Sequence, residues 1–552
     1  MSKYTIGLDY GSLSGRAVLA DISNGQTIAV SVYEYPHAVM SRALPDGTPL
    51  GIDFALQHPQ DYLDVLTHTV PAVMKASGVD PKDVIGIGVD FTSSTVMPVD
   101  AQGKPLCFDE KYVSNPHAYV KLWKHHAAQD KANIMTDVAV QRKEKWLANY
   151  GGKVSSEWSF PKLWEVLCDA PDIYAEMDEW MEAGDWIVLQ LTGVRTRNAC
   201  AAGYKNFWNK QGGYPDKAYF AALDSRFENV VAEKLKTPVT PLGGCAGGVT
   251  AEMAARLGLN AGTPVGIAHI DAHVCAPAVG MTKPGQMLAI MGTSTCHMSL
   301  ADVESQAPGI CGVVEDGILP GFFGYEAGQS CVGDHFAWLT ENMVPGSYFE
   351  EAKKQGKHIQ KYLTELASKL APGESGLLAL DWWNGNRSVL VDFDLTGMML
   401  GMTLQTRAEE IYRALIEATA YGARMIIENY RESGIEISEF FASGGISQKN
   451  AMAMQIYADV LNMPVHISGA EQGPALGSAI FGAVAAGAKN GGYDDLYAAT
   501  KAMAQPDSKI YMPIKKNVQV YEQLFNEYRK LHDYFGRGEN DVMKRLKAIK
   551  QG

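Results

Sequence analysis

Two short turns hold the residues best suited to chemistry. The first, Asp9-Tyr10-Gly11-Ser12-Leu13-Ser14-Gly15-Arg16-Ala17, joins one apolar run (Tyr4, Ile6, Leu8) to another (Val18, Leu19). It closes a strand with a carboxylate and then offers small residues, whose backbone N–H groups can come close enough to an anion to form a nest. The second, Ala289-Ile290-Met291-Gly292-Thr293-Ser294-Thr295-Cys296, follows half a chain later, shortly after a segment centred on Asp271. One such turn is an ordinary hairpin. Two of them, each with an aspartate nearby, point to two related lobes facing a shared phosphate. A third candidate is Asp90-Phe91-Thr92-Ser93-Ser94-Thr95, at the carboxyl end of the apolar run Val84–Val89. In α/β sheets ligands bind outside the carboxyl ends of strands, so Ser93 is a candidate substrate contact.

Strands and helices must hold these turns in place. The pattern predicts a β-meander over 4–9, 15–22 and 27–35. Leu63, Leu66, Val70 and Val73 predict a helix over 61–74. Residues 116–150 read as polar and helical, and 161–167 and 187–191 as further helices, with Asp185-Trp186 ahead of the last. A strand over 263–267 leads to Asp271. The turn-rich segment 281–285 then marks the boundary between lobes spanning 1–283 and 284–552. The second half carries strands at 286–291 and 295–300 and an amphipathic helix over 408–432. A strand at Phe440-Phe441 runs into Ser443-Gly444-Gly445, and a helix over 449–461, a strand over 464–467 and a Gly/Ala-rich helix from about 475 follow. Apolar residues at 518, 521, 525, 528 and 535 predict a last helix docked on its own lobe. The fold class is α/β.

The chain has 552 residues, enough for more than one domain, and a net charge of −14 without a basic run. That balance excludes nucleic acid and anionic membrane as main partners. The charge of a nucleotide would be met by amides, one or two basic residues and a metal ion. No signal peptide is visible at the start. The stretch 475–488 is too short to span a bilayer, which takes ~20 apolar residues. Eight scattered cysteines without a Cys-x-x-Cys pair read as reduced thiols of a cytoplasmic protein. His269 and His273 are expected to pack around Asp271 rather than to hold a metal. The P-loop, Gly-x-Gly-x-x-Gly and Gly-x-Ser-x-Gly motifs are missing.

Taken in order, these segments resemble the FGGY carbohydrate kinases, of the actin/hexokinase/Hsp70 superfamily. The Asp9 turn, Pro161-Lys162-Leu163-Trp164, Asp185-Trp186 with Leu191-Thr192-Gly193, and the Asp271 segment carry the resemblance in the first half. Gly292-Thr293, Gly397-Met398-Met399-Leu400-Gly401 and Ser443-Gly444-Gly445 carry it in the second. The resemblance implies two actin-like (ribonuclease H-like) ATPase lobes with a cleft between them, which phosphorylate a sugar hydroxyl with ATP and Mg²⁺. Residues 90–95, 116–123, 150–153 and 270–273 are similar to members acting on L-ribulose. The Trp-x-Asp-x-Arg-like pattern of glycerol and xylulose kinases is missing from 110–125.

Residue by residue, the resemblance makes Asp271 the catalytic base and Asp9 the Mg²⁺ residue, through water. It assigns Gly11, Ser12, Ser14 and Arg16, with Gly292 and Thr293 opposite, to the phosphates. Gly444, Gly445, Asn450 and Gln448 would face the nucleoside. Ser93, Lys205, Glu326 and Asp271 would contact the sugar. The lobes are expected to close over both substrates and exclude water. Alternatives are another FGGY kinase, for D-ribulose, xylulose or a polyol, and a non-catalytic actin-like ATP-binding module. The expected partners are a small sugar and ATP, with neither nucleic acid nor membrane; a homodimer stays open.

Overall fold

The apolar runs and small-residue turns build two large sheets, one from each half of the chain. The computed structural model describes residues 2–551. In the first sheet, β1 (Tyr4–Tyr10), β2 (Ser14–Asp21) and β3 (Thr27–Glu34) form an antiparallel meander. On the other side of β1 lies β4 (Val84–Phe91), parallel to it and buried at every position. Burial on both faces is what a continuous apolar run in a parallel strand provides for. The short strands Cys245–Gly248, Pro264–Gly266 and His269–Ile270 complete the seven. The β1–β4 register sets Asp9 beside Asp90, and His269–Ile270 pairs with the end of β4, which brings Asp271 to the same edge.

The second sheet repeats the plan. β5 (Gln286–Met291) and β6 (Thr295–Ala301) form a hairpin, and β7 (Phe323–Gln329) extends it antiparallel. β8 (Glu439–Ser443) runs parallel on the far side of β5. Gly312–Glu315, Val465–Ser468 and Asp507–Tyr511 fill out seven strands. The β1–β2 and β5–β6 hairpins are thus equivalent, each with a parallel strand alongside.

Three helices matter for the site: α1 (Ser159–Asp169), α2 (Asp271–Ala278) and α3 (Gly473–Ala486). Although α3 comes late in the chain, it lies on β1 and β4 of the first sheet and against α2. The contact is backbone on backbone. A Cβ on Gly7 would sit 1.7 Å from the Ala475 carbonyl oxygen, and one on Gly88 1.8 Å from that of Ser478. Glycine there removes the side chain that would hold the helix off. The final helix, Lys515–Gly536, docks on the second half, with Tyr521, Phe525 and Tyr528 fully buried. Among the described residues no helix is long and apolar enough to cross a membrane.

Residues 408–432 form one helix over the span the periodicity predicts. Three expectations are corrected. Residues 116–150 are not one helix. Val120-Lys121 is drawn out as a strand by pairing with Leu56-Gln57, and only Gln129–Arg142 is α-helical, ending at a left-handed Lys143. The helix expected over 449–461 breaks at Asn450, into Gly445–Lys449 and Ala451–Leu461. Asp185-Trp186 lies inside Ala183–Thr192 rather than ahead of a helix.

We expect Gly88→Ala to lower stability by about 1–3 kcal/mol or more, the range for overpacking. Urea unfolding reads this as a lower midpoint; an unchanged midpoint would contradict the seating of α3 on β4.

Candidate functional site

The edge where β1, β4 and α2 meet collects carboxylates. Asp9 is buried, and the hairpin register places Arg16 opposite it, with Nε 3.3 Å from Oδ2. Arg16 also donates from Nη1 to the Gln472 side chain at 3.0 Å, just ahead of α3. Asp90 is fully buried, and its Oδ2 accepts from the Ser478 hydroxyl of α3 at 2.5 Å. Asp271 is partly exposed in the first turn of α2, where Oδ1 accepts from the Ala272 N–H at 2.7 Å.

Each carboxyl holds its proton more tightly than usual. Burial raises Asp9, although Arg16 works against the rise. Burial, then the charge of Asp9, lifts Asp90 well above the ordinary carboxylate range. Burial and then Asp9 push Asp271 up to about 7. Desolvation and like charge both disfavour the ionised form, so these effects add.

The two hairpins face this edge with different atoms from those expected. The Gly11 N–H donates to the Ser14 carbonyl and the Gly292 N–H to the Ser294 carbonyl, each at 2.9 Å. Both glycine amides are therefore used to close their turns. The N–H groups of Ser12, Leu13 and Thr293 have no partner among the described residues. Ser12 is tied down through its other groups. Trp123 Nε1 donates to its hydroxyl at 3.0 Å, and the Gln57 amide to its carbonyl at 2.8 Å. Gly292 and Thr293 are exposed.

Gly444 has φ +100, and a Cβ there would sit 2.5 Å from the Met291 carbonyl oxygen, so glycine is required at the end of β8. Gly445 follows with open space ahead of it. Asn450 differs from expectation. It is buried, with its side-chain oxygen capping the Ala453 N–H at 3.0 Å and its Nδ2 donating to the Tyr412 hydroxyl at 3.1 Å. Gln448 spends its amide on the Ser468 carbonyl. Both side chains thus make hydrogen bonds within the protein.

A second charged group joins the two halves. Lys205 ends the helix Ala199–Lys205, and Glu326 sits in the middle of β7. Lys205 Nζ lies 2.8 and 3.1 Å from the two Glu326 oxygens, with both side chains buried. Arg387 Nη2 donates to Glu326 Oε1 at 3.0 Å, and His273 Nε2 lies 3.4 Å from Oε2. Burial opposes the Glu326 charge, yet Lys205 and the other partners hold its carboxyl well below the usual range. Ser93 is half-buried in the loop after β4. The two histidines do not pack around Asp271. His273 stacks on Tyr204 at 4.4 Å and faces Glu326, while His269 lies against Phe481 at 5.0 Å. Two residues along a helix from Asp271, His273 must point away from it.

The structure thus gathers Asp9, Arg16 and Asp271 at one edge, at the end of the first hairpin. Beside them lie Asp90, which heads the third candidate segment, and Ser478 and Arg387, which no motif marks. Asp90 stood in plain view at a strand end, but only the register with β1 gives it meaning. Arg387 lies in an irregular stretch with no periodic pattern to draw attention to it.

The N-terminal domain of the FGGY family of carbohydrate kinases matches residues 4–276, and the C-terminal domain of that family matches residues 287–486. A curated protein of Bacillus licheniformis, named ribulokinase, is 57% identical over 539 residues, covering 98% of each chain. Another ribulokinase, from Halalkalibacterium halodurans, is 55% identical over 550 residues, covering 100% of this chain and 98% of its own. Among solved structures, a xylulose kinase from Rhodospirillum rubrum superposes with TM-score 0.76 at 23% identity, covering 96% of this chain and 98% of its own. A Plasmodium falciparum glycerol kinase with ADP gives TM-score 0.75 at 15% identity, with the same coverage. These two share the fold.

We expect Glu326→Gln to destabilise the protein by about 3–5 kcal/mol, because it leaves buried cations without their counter-charge. Adding Lys205→Met should recover part of that loss in denaturant unfolding. A neutral single substitution would contradict the ion pair.

Proposed function

The chain belongs to the FGGY family of carbohydrate kinases, and from that premise we propose that it transfers the γ-phosphoryl group of ATP to L-ribulose, giving L-ribulose 5-phosphate. The observation that carries the substrate is the identity of more than half the residues, over essentially the whole chain, with proteins named ribulokinase. It is an ATP-dependent sugar kinase. Phosphoryl transfer needs little covalent chemistry from a protein; it needs positioning and charge stabilisation.

In this reading Asp271 is the catalytic base. It accepts the proton of the attacking sugar hydroxyl and directs that oxygen at the phosphorus. A carboxyl held near 7 is basic enough to help and still ionised in good part at neutral pH. The free N–H groups of Ser12, Leu13 and Thr293, the Ser14 hydroxyl and the Arg16 charge would receive the phosphates, on turns shaped by Gly11 and Gly292. Gly444 and Gly445 would let backbone approach the nucleoside. Lys205, Glu326, Arg387 and Ser93 would meet the sugar hydroxyls. Asn450 is left out, because its side chain is committed to a helix cap.

Asp9 would hold Mg²⁺. The donor set fits: it is all oxygen, and among the described residues no group of three or more could hold a metal alone. Mg²⁺ keeps several waters and is bound through one or two carboxylates plus substrate phosphates rather than in a protein cage. When bound, the ion supplies positive charge to the phosphate oxygens. We also place the lobe boundary within 281–285, supported by the way the two sheets divide there, and the protein in the cytoplasm, supported by its eight free cysteines.

Turnover measured by ADP release on a sugar panel tests the substrate. L-Ribulose should exceed D-xylulose and glycerol in kcat/KM by about tenfold or more; equal or better use of either would overturn the assignment. With Asp271 near 7, kcat/KM should rise about tenfold per pH unit below 7 and level off above it, because the ionised form is the active one. Asp271→Asn should reduce kcat by about 10²–10⁴-fold. Its stability should move the other way. The folded pKa lies above the ordinary 3.8, so ionising Asp271 destabilises the fold as pH rises from about 4 through 7. At pH 8 the variant should therefore melt no lower than the wild type.

A further inference from the structure

Lys162 is fully buried in α1, and its Nζ donates to two backbone carbonyls, of Ser94 at 2.7 Å and of Leu122 at 2.9 Å. Among the described residues it forms no ion pair. Its neighbour Lys121, equally buried, lies 2.9 Å from the Glu165 carboxylate and is neutralised there. A buried charge is expensive unless it is paired or hydrogen-bonded; burial pulls Lys162 down to about 7, with Glu182, Glu157 and Glu165 favouring its charge from beyond contact, and the two carbonyls make its hydrogen bonds.

What it holds gives this expense a purpose. Ser94 has φ +49, in the left-handed region that residues with a side chain adopt only when their surroundings enforce it. Its hydroxyl is buried without a partner, so the residue is not placed for its own hydrogen bonds. Its neighbour Ser93 is the candidate sugar contact. The loop is closed from within by the Thr92 and Thr95 hydroxyls, 2.8 Å apart, and from outside by Lys162. Leu122 precedes Trp123, whose indole N–H reaches the Ser12 hydroxyl in the first hairpin. One ammonium therefore sets the spacing between the segment carrying Ser93 and the segment leading to the phosphate-side turn.

We propose that Lys162 is a positioning residue for the acceptor sugar, holding the Ser93 loop and the Leu122-Trp123 segment in register without touching the sugar itself. The inference rests on the sugar-kinase reading. That reading is judged on the wild type, and the variants are compared on whichever sugar the wild type turns over, so the two can fail separately.

The test is steady-state kinetics of Lys162→Met and Lys162→Gln, with calorimetric ATP binding and thermal melting of each. The Met variant should lose about tenfold or more in kcat/KM for the sugar, mainly through KM, the scale set by leaving buried polar groups unpaired. Its KM for ATP should stay within about twofold, since the Ser12 turn keeps its own closure from Gly11 to Ser14 and its bond from Gln57. The Gln variant keeps two N–H donors and should recover most of the loss. If the Met variant does not fold, Lys162→Ala is measured in its place, with the same loss for the sugar and the same constancy for ATP expected. Unchanged sugar kinetics in the folded Met or Ala variant would overturn the proposal. Equal losses for sugar and ATP with lower melting, the signature of a merely structural lysine, would also overturn it.

Discussion

Burial of three carboxyls, Asp9, Asp90 and Asp271, at one sheet edge is the constraint around which the molecule is arranged. Desolvation is the larger part of it, and the charge of Asp9 adds to the rise at Asp90 and at Asp271. The fold nonetheless holds the three together. Backbone of α3 is pressed onto backbone of β1 and β4, Ser478 donates to Asp90, and Arg16 is held opposite Asp9 by a hairpin register.

The Lys205–Glu326–Arg387 group is the counterpart of this acidic edge. Here one carboxylate serves two cations, so the group carries a net positive charge close to the acids. Lys205 comes from the first half of the chain and the other two from the second, which makes the pair a bond between halves as well as a polar surface for hydroxyls. Since α3 also crosses from the second half to the first sheet, the halves divide the sheets between them but not the packing.

Much of this was legible in the residues. Apolar runs ending in small-residue turns located the strands of both meanders, and the helix over 408–432 was visible in its periodicity. The order of the family segments pointed to the kinase fold. What stayed hidden depends on contacts between distant residues. Register alone pairs Asp90 with Asp9. Tertiary strand pairing overrode the helical reading of 116–150 at Val120-Lys121. The amides of Gly11 and Gly292 are consumed inside their own turns, which composition cannot reveal. Asn450, which the resemblance assigns to the nucleoside, caps the helix that starts at Ala451, a bond that no motif reveals.

Asp271 retains its proton to near neutrality because burial and Asp9 disfavour its charge. Infrared difference titration of the ligand-free protein, wild type against Asp271→Asn, measures this directly. The wild type should carry one protonated-carboxyl component, titrating with a midpoint of about 7, that the variant lacks while it keeps the bands of Asp9 and Asp90. A wild type whose carboxyl groups have all ionised by pH 5, with no difference from the variant above that pH, would contradict it.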